Sequence, residues 1–140
     1  MTVRALHRLA ELLADRRGGA AVEFAIIGPV LCTLLLGVVD VGRMFYVRQN
    51  LEYATEEAAR YYMLNPSAAS SDVTTQLKNK MQGGGNGVSV SYTDTTNCNG
   101  SSSVTCTLIS ATYDFTFIAG YLGLGTKTLQ AKAQAVRIGT

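Results

Sequence analysis

Hydrophobic positions are distributed unevenly along the chain, and their spacing changes three times. From Gly19 to Val39 there are twenty-one residues that are nearly all apolar, interrupted by a single charge at Glu23. As a helix rising ~1.5 Å per residue, this run would reach about 30 Å, the thickness of a bilayer core. From Met44 the pattern becomes periodic. Met44, Val47, Leu51, Ala54, Ala58 and Tyr61 follow a 3-4-3-4-3 spacing that draws one packing stripe along a helix. Arg48/Glu52 and Glu56/Arg60 are i,i+4 opposite-charge pairs on its flanks. The pattern stops at Asn65-Pro66, because the residue before a proline is pushed out of the helical region. The two segments together predict one helix of about 45 residues, on the order of 65–70 Å long.

Beyond Pro66 the composition turns small and polar, and the predicted elements shorten. SSDVTTQLKNKMQ predicts a short helix capped by Ser71 or Asp72, with Val73, Leu77 and Met81 on one face. GGGNG, Gly83 to Gly87, stops it. Val88, Val90 and Tyr92 alternate as a strand, and a second strand begins near Val104 after the turn-rich TDTTNCNGSSS. In that second strand Val104, Cys106 and Leu108 share one parity, whereas Ile109, Ala111, Tyr113, Phe115 and Phe117 share the other. The switch predicts a β-bulge near Leu108-Ile109 or a break there. After a loop around Gly120 to Gly125, Leu129, Ala131, Ala133 and Ala135 alternate against Lys132 and Gln134 as a last strand. Three antiparallel strands against the helix is the economical arrangement for so short a segment.

The fold class expected is therefore α+β. A long transmembrane-plus-amphipathic helix precedes a short helix and a small antiparallel sheet. The expected boundaries are a cytoplasmic leader at 1–18, a transmembrane helix at 19–40, its periplasmic extension at 41–65 and a small extracytoplasmic α+β domain at 66–140.

Charge sets the orientation. Arg4, Arg8, Arg16 and Arg17, four of the twelve basic residues, precede the apolar run, against Glu11 and Asp15. The remaining eight basic groups are balanced by eight acidic ones, so the net charge of +2 belongs to the leader. The positive-inside rule places the leader in the cytoplasm and everything after Asp40 outside, despite Arg43 and Arg48 on the far side. A cleaved secretory signal would have a shorter apolar core ending in a small-residue site, whereas this run ends in VVDVGRMF. Gly28-Pro29 lies within the span. Pro29 removes a hydrogen bond to the carbonyl of Ala25, which predicts a kink or a loosened turn.

Candidate chemistry is sparse. The only histidine, His7, lies in the leader, so no His-based catalytic triad, metal site or acid/base pair can be drawn in the exported part. Gly120-x4-Gly125-Thr126-Lys127 has its lysine and hydroxyl in the wrong order for a phosphate loop. No basic patch outside the leader suits nucleic acid. No catalytic residue, metal or cofactor is expected, and the protein is not expected to be an enzyme. Cys98 and Cys106 flank a turn in an oxidising compartment and predict a disulfide, with two free thiols or a metal clip as alternatives. Its closed loop would contribute about 2.5 kcal/mol in the chain-entropy model. Cys32, within the span, reads as a small apolar packer.

The order basic leader, glycine, four residues, glutamate, apolar helix resembles the substrate pattern of prepilin peptidases. Gly18 would precede the scissile bond, Gly19 would become the N-terminus, and Glu23 would stand fifth; a cut after Gly19 is the alternative register. GGAAVEFAIIGPVLCTLLLGVVDVGRMFYVRQNLEYATEEAARYY, Gly18 to Tyr62, resembles the TadE-like minor pilins, or pseudopilins, of the tight-adherence (Tad/Flp) type IV pilus system. It carries the glycine, a glutamate-aromatic pair, the apolar run, an acidic residue with G-R-x-F, and an alanine-rich A-R-Y ending. The tail SATYDFTFIAGYLGLGTKTLQAKAQA resembles the family's aromatic strand, glycine-containing loop and final strand. Phe24 stands where some relatives carry tyrosine, and the family does not require the cysteine pair.

The resemblance implies a type IV pilin-like, single-pass protein of the bacterial inner membrane. Its expected partners are a prepilin peptidase, other pilin or pseudopilin subunits and an inner-membrane pilus assembly platform. Cleavage would create an α-amine at Gly19, one turn before Glu23, and the amine of one subunit could pair with Glu23 of its neighbour. The rival readings are a signal-anchored envelope protein with a C-terminal β binding domain and a type II secretion pseudopilin.

Overall fold

In a computed structural model of the protein, residues 18–65, 67–83, 85–96, 98–100, 104–118, 120, 123 and 125–138 are described. Residues 1–17, with Arg4, His7, Arg8, Arg16 and Arg17, lie outside them, as does Pro66. The elements are α1 (Gly19–Leu64), α2 (Ser70–Lys80), β1 (Val88–Thr96), a single 3-10 turn (Cys98–Gly100), β2 (Val104–Thr116) and β3 (Thr126–Ile138). The chain divides into two compact units, Met1–Val38 and Val39–Thr140.

In the first unit α1 presents its apolar side chains outward. Val22, Phe24, Ile26, Ile27, Val30, Leu31, Leu34, Leu35 and Val38 are all exposed. A helix of a globular core would hide one face of such a run, and this one hides neither. α1 runs unbroken through Pro29. One turn on, the Thr33 hydroxyl donates to the Pro29 carbonyl at 2.9 Å.

In the second unit the three strands form one antiparallel sheet in the order β1-β2-β3. Its core face is set by register. Val88, Val90 and Tyr92 stand opposite Tyr113, Ala111 and Ile109, which in turn stand opposite Leu129, Ala131 and Ala133. Onto this face α1 brings Leu51, Ala54, Ala58, Ala59 and Tyr62, and α2 brings Val73 and Leu77, followed by Met81. Leu51, Leu77 and Ile109 are fully buried, each contributing roughly 1.5–3 kcal/mol by leaving water. Met44, Val47 and Tyr61 of the stripe are partly buried against the same core.

Pairing of β2 with both neighbours runs without interruption, Val88↔Tyr113 to Thr96↔Thr105 on one side and Val104↔Ile138 to Thr116↔Thr126 on the other. The expected bulge or break at Leu108-Ile109 is therefore absent. The apolar parity changes because the first half of β2 is covered on the face away from the core. Cys106 lies on that outer face and is buried, joined to Cys98 of the 3-10 turn. On the core face the same stretch carries Thr107, whose hydroxyl donates to Asp94 at 2.5 Å.

The start of α2 also differs from expectation. Its N-cap is Ala69, not Ser71 or Asp72. Asp72 instead sits at the third helical position, where its carboxylate accepts the Ala69 N–H at 3.1 Å and meets the positive end of the helix. α2 is fastened to β1 by Tyr92, whose hydroxyl donates to the Ser70 carbonyl at 3.0 Å and lies 2.7 Å from the Thr74 hydroxyl. Gly85 allows the return to β1. A Cβ there would stand 2.6 Å from Lys78 Cα, so only glycine lets the loop lie against the helix backbone.

Candidate anchoring and assembly site

The apolar run ends at Val39, and the next residue is the most deeply buried acidic group of the second unit. Asp40 is 1% exposed. Its carboxylate accepts the backbone N–H of Ile118 at 3.1 Å, just past the end of β2, and the guanidinium of Arg43 at 3.2 Å. Arg43 lies one helical turn along α1, with its guanidinium carbon 5.3 Å from the centre of the Phe115 ring. Phe115 meets Phe117 edge to face at 5.2 Å. One carboxylate thus ties α1 to the end of β2 through a charge-assisted bond to an otherwise orphaned amide, while the arginine closes over an aromatic.

The other end of α1 carries a second tie. Arg137 of β3 donates to the Tyr62 hydroxyl at 2.6 Å and packs over its ring at 4.6 Å. Between the two ends, Lys80 of α2 meets Glu57 at 3.7 Å and Arg48 meets Glu52 at 3.0 Å. Glu56 and Arg60, spaced for an ion pair, do not form one among the described residues. Burial raises the pKa of the Tyr92 phenol above its ordinary value; the Thr74 hydrogen bond works against this, and Tyr62 adds slightly to it.

Gly18 and Gly19 are exposed at the start of α1, with open space where a Cβ would stand. Glu23 follows one turn later among exposed apolar neighbours. Among the described residues it has no hydrogen-bond or ion-pair partner. Pro29 is exposed within the same helix. Cys98 and Cys106 form a disulfide, with Cα atoms 5.8 Å apart, across the turn into β2. Cys32 is an exposed free thiol. No cluster of three metal-ligating side chains occurs among the described residues.

Asp40, Ile118 and the Tyr62–Arg137 pair are the positions that reading the apolar stripe alone passes over. The signal for Asp40 was present. Extending the stripe one step back from Met44 by four residues puts Asp40 on the buried face. A carboxylate at that position had to find donors.

These features define a class: a small α+β domain that shares one helix with an apolar segment long enough to cross a membrane, of mean hydropathy 2.3 over its most apolar window. Within that class the first part of the chain is similar to one family. The family model described as TadE-like protein matches residues 18–60, just under a third of the chain, from the first glycine through Glu23, Asp40 and Arg43 to Arg60. No curated protein and no solved structure matches the chain.

Proposed function

We propose that this protein is a minor pilin or pseudopilin of a tight-adherence type IV pilus, cut by a prepilin peptidase between Gly18 and Gly19. It packs through the first part of α1 against other pilin or pseudopilin subunits, after handling by an inner-membrane assembly platform. The observation that carries this reading is the outward-facing apolar helix with one carboxylate a turn from its start. None of its most apolar window is buried by the rest of the chain, and Glu23 has no partner among the described residues. Such a surface is stable in lipid or against like helices, and exposed in neither.

The chemistry of the cut supplies what Glu23 lacks. A carboxylate in a bilayer costs about 2.5–3.5 kcal/mol at the centre and less toward the edge. Hydrolysis of the Gly18–Gly19 peptide bond leaves a positive amine on Gly19, roughly 6 Å along the helix from Glu23. In a bundle of staggered subunits, the amine of one pairs with Glu23 of the next. The pairing offsets the burial cost and favours one axial register. Proteins with an uncleaved leader have no such amine, and their glutamate stays at the headgroups.

Glu23→Gln tests the proposal. The variant keeps the side chain's shape and loses the charge, so cleavage continues and pili fall in number or are lost. Normal piliation by Glu23→Gln would refute the pairing. A bulky residue at the cut site, Gly18→Phe, leaves the full-length precursor. Unchanged processing of that variant would refute the site.

A further inference from the structure

We propose that the end of the second unit marked by Asp40 and Ile118 is seated in the lipid interface, so that the domain is held to the membrane by a second point besides its helix. The inference rests on the spanning reading of residues 19–39, and its partner is a phospholipid surface.

Three observations carry it. Asp40 directly follows the apolar run, and its carboxylate holds the Ile118 amide at 3.1 Å. This fixes the end of β2 at the level where the helix leaves the hydrocarbon. Ile118 is 56% exposed there, although a buried carboxylate pins its backbone. Val41 and Phe45, which flank Asp40 on α1, are 46% and 54% exposed. The interfacial layer beyond the hydrocarbon is about 5–7 Å deep on each side. Phe45 lies five residues past Asp40, roughly 7.5 Å at helical rise. Its side chain leans back toward the helix start, as helical side chains do. All three apolar groups therefore fall within the layer where aromatic and aliphatic side chains are at home.

Charge at this end does not oppose the seat. Arg43 is about half exposed, and Lys127 stands opposite Phe115 in the register and is exposed. In the seat, the Lys127 ammonium and the solvent side of the Arg43 guanidinium would meet the headgroup phosphates. Of the acids nearby, Asp40 is buried against Arg43, and Asp114 accepts the Thr128 hydroxyl at 2.6 Å. The two cations and the two carboxylates balance, with Asp40 buried beneath Arg43, so the charge at this end does not repel an anionic surface. A seat of this kind fixes the tilt of the domain on the bilayer before assembly and is given up when the subunit leaves the membrane.

Depth measurement by nitroxide collision tests it on the full chain in vesicles of phosphatidylcholine and phosphatidylglycerol. Cys32→Ser removes the free thiol and leaves the disulfide. Single labels then enter through Val30→Cys, Ile118→Cys and Gln134→Cys, the last on an exposed position far back along the sheet. The ratio of oxygen to nickel-chelate collisions should be at least about threefold higher at 118 than at 134, and highest at 30. Equal ratios at 118 and 134, with 30 in lipid, would overturn the interfacial seat and leave the span intact. A water-exposed label at 30 would overturn the spanning reading and this inference with it.

Discussion

Removing the Asp40 carboxylate tests the tie between α1 and the end of β2 most sharply. Asp40→Ala deletes the acceptor for the Ile118 N–H and for Arg43, at 3.1 and 3.2 Å. A hydrogen bond to a charged group contributes about 1.5–3 kcal/mol. The pair with Arg43 adds less, because that side chain is 47% exposed and water screens it. The burial cost of the charge itself disappears with the substitution and offsets part of the loss. The net expectation is about 2 kcal/mol, or roughly 10 °C in Tm for a unit of this size. Asp40→Asn retains an acceptor for the amide and loses the ion pair, so it should fall about midway. The assay is thermal unfolding of the full chain in detergent micelles, with amide exchange at Ile118 as a local reporter. Exchange there should accelerate in Asp40→Ala before the sheet as a whole is affected. A Tm within about 2 °C of the wild type, with Ile118 exchange unchanged, would refute the tie.

Other consequences follow from single features of the second unit. Cys98→Ser with Cys106→Ser, or reduction, should lower stability by about 2.5 kcal/mol, read as a shifted denaturation midpoint; an unmoved midpoint would remove the disulfide from the account. Gly85→Ala should destabilise by about 1–3 kcal/mol, because the added methyl meets the Lys78 backbone at 2.6 Å. Wild-type stability for that variant would show that the loop moves freely. The raised pKa of Tyr92 means that its folded form holds the proton more tightly than its unfolded form. Its contribution is therefore complete below about pH 10, the ordinary tyrosine value, and is lost as pH rises through the folded value. Tyr92→Phe should lower stability at neutral pH by about 1 kcal/mol through its two lost hydrogen bonds, and should flatten the decline above pH 10. An unchanged alkaline slope would contradict this.

Where one period governed a segment, the sequence was a sufficient guide. The stripe Leu51, Ala54, Ala58 and, from the last alternation, Leu129, Ala131 and Ala135 are buried as the spacing requires, with Ala133 partly buried among them. The α+β class and three-stranded sheet follow from those patterns and the glycine-rich breaks between them. The misreadings arose where a second surface intervened. The parity of β2 suggested a bulge because Cys106 is buried by its disulfide partner and not by the core. The α2 cap was misplaced because Asp72 acts from inside the helix on the amide behind it. Asp40 and Ile118 are 78 residues apart. No local pattern joins a carboxylate to a backbone amide at that distance. The family resemblance marked Asp40 and Arg43 as part of a motif, and the geometry supplies a physical reason for both.

The central claim is that the leader is removed at Gly18–Gly19, and that the new amine completes Glu23. Intact-mass measurement of the protein extracted from its native membrane tests this most directly. The account predicts a species that begins at Gly19 and is two hydrogens lighter than the reduced form because of the Cys98–Cys106 bond. A full-length mass, with Met1 through Gly18 still attached, would contradict it and favour a signal-anchored envelope protein.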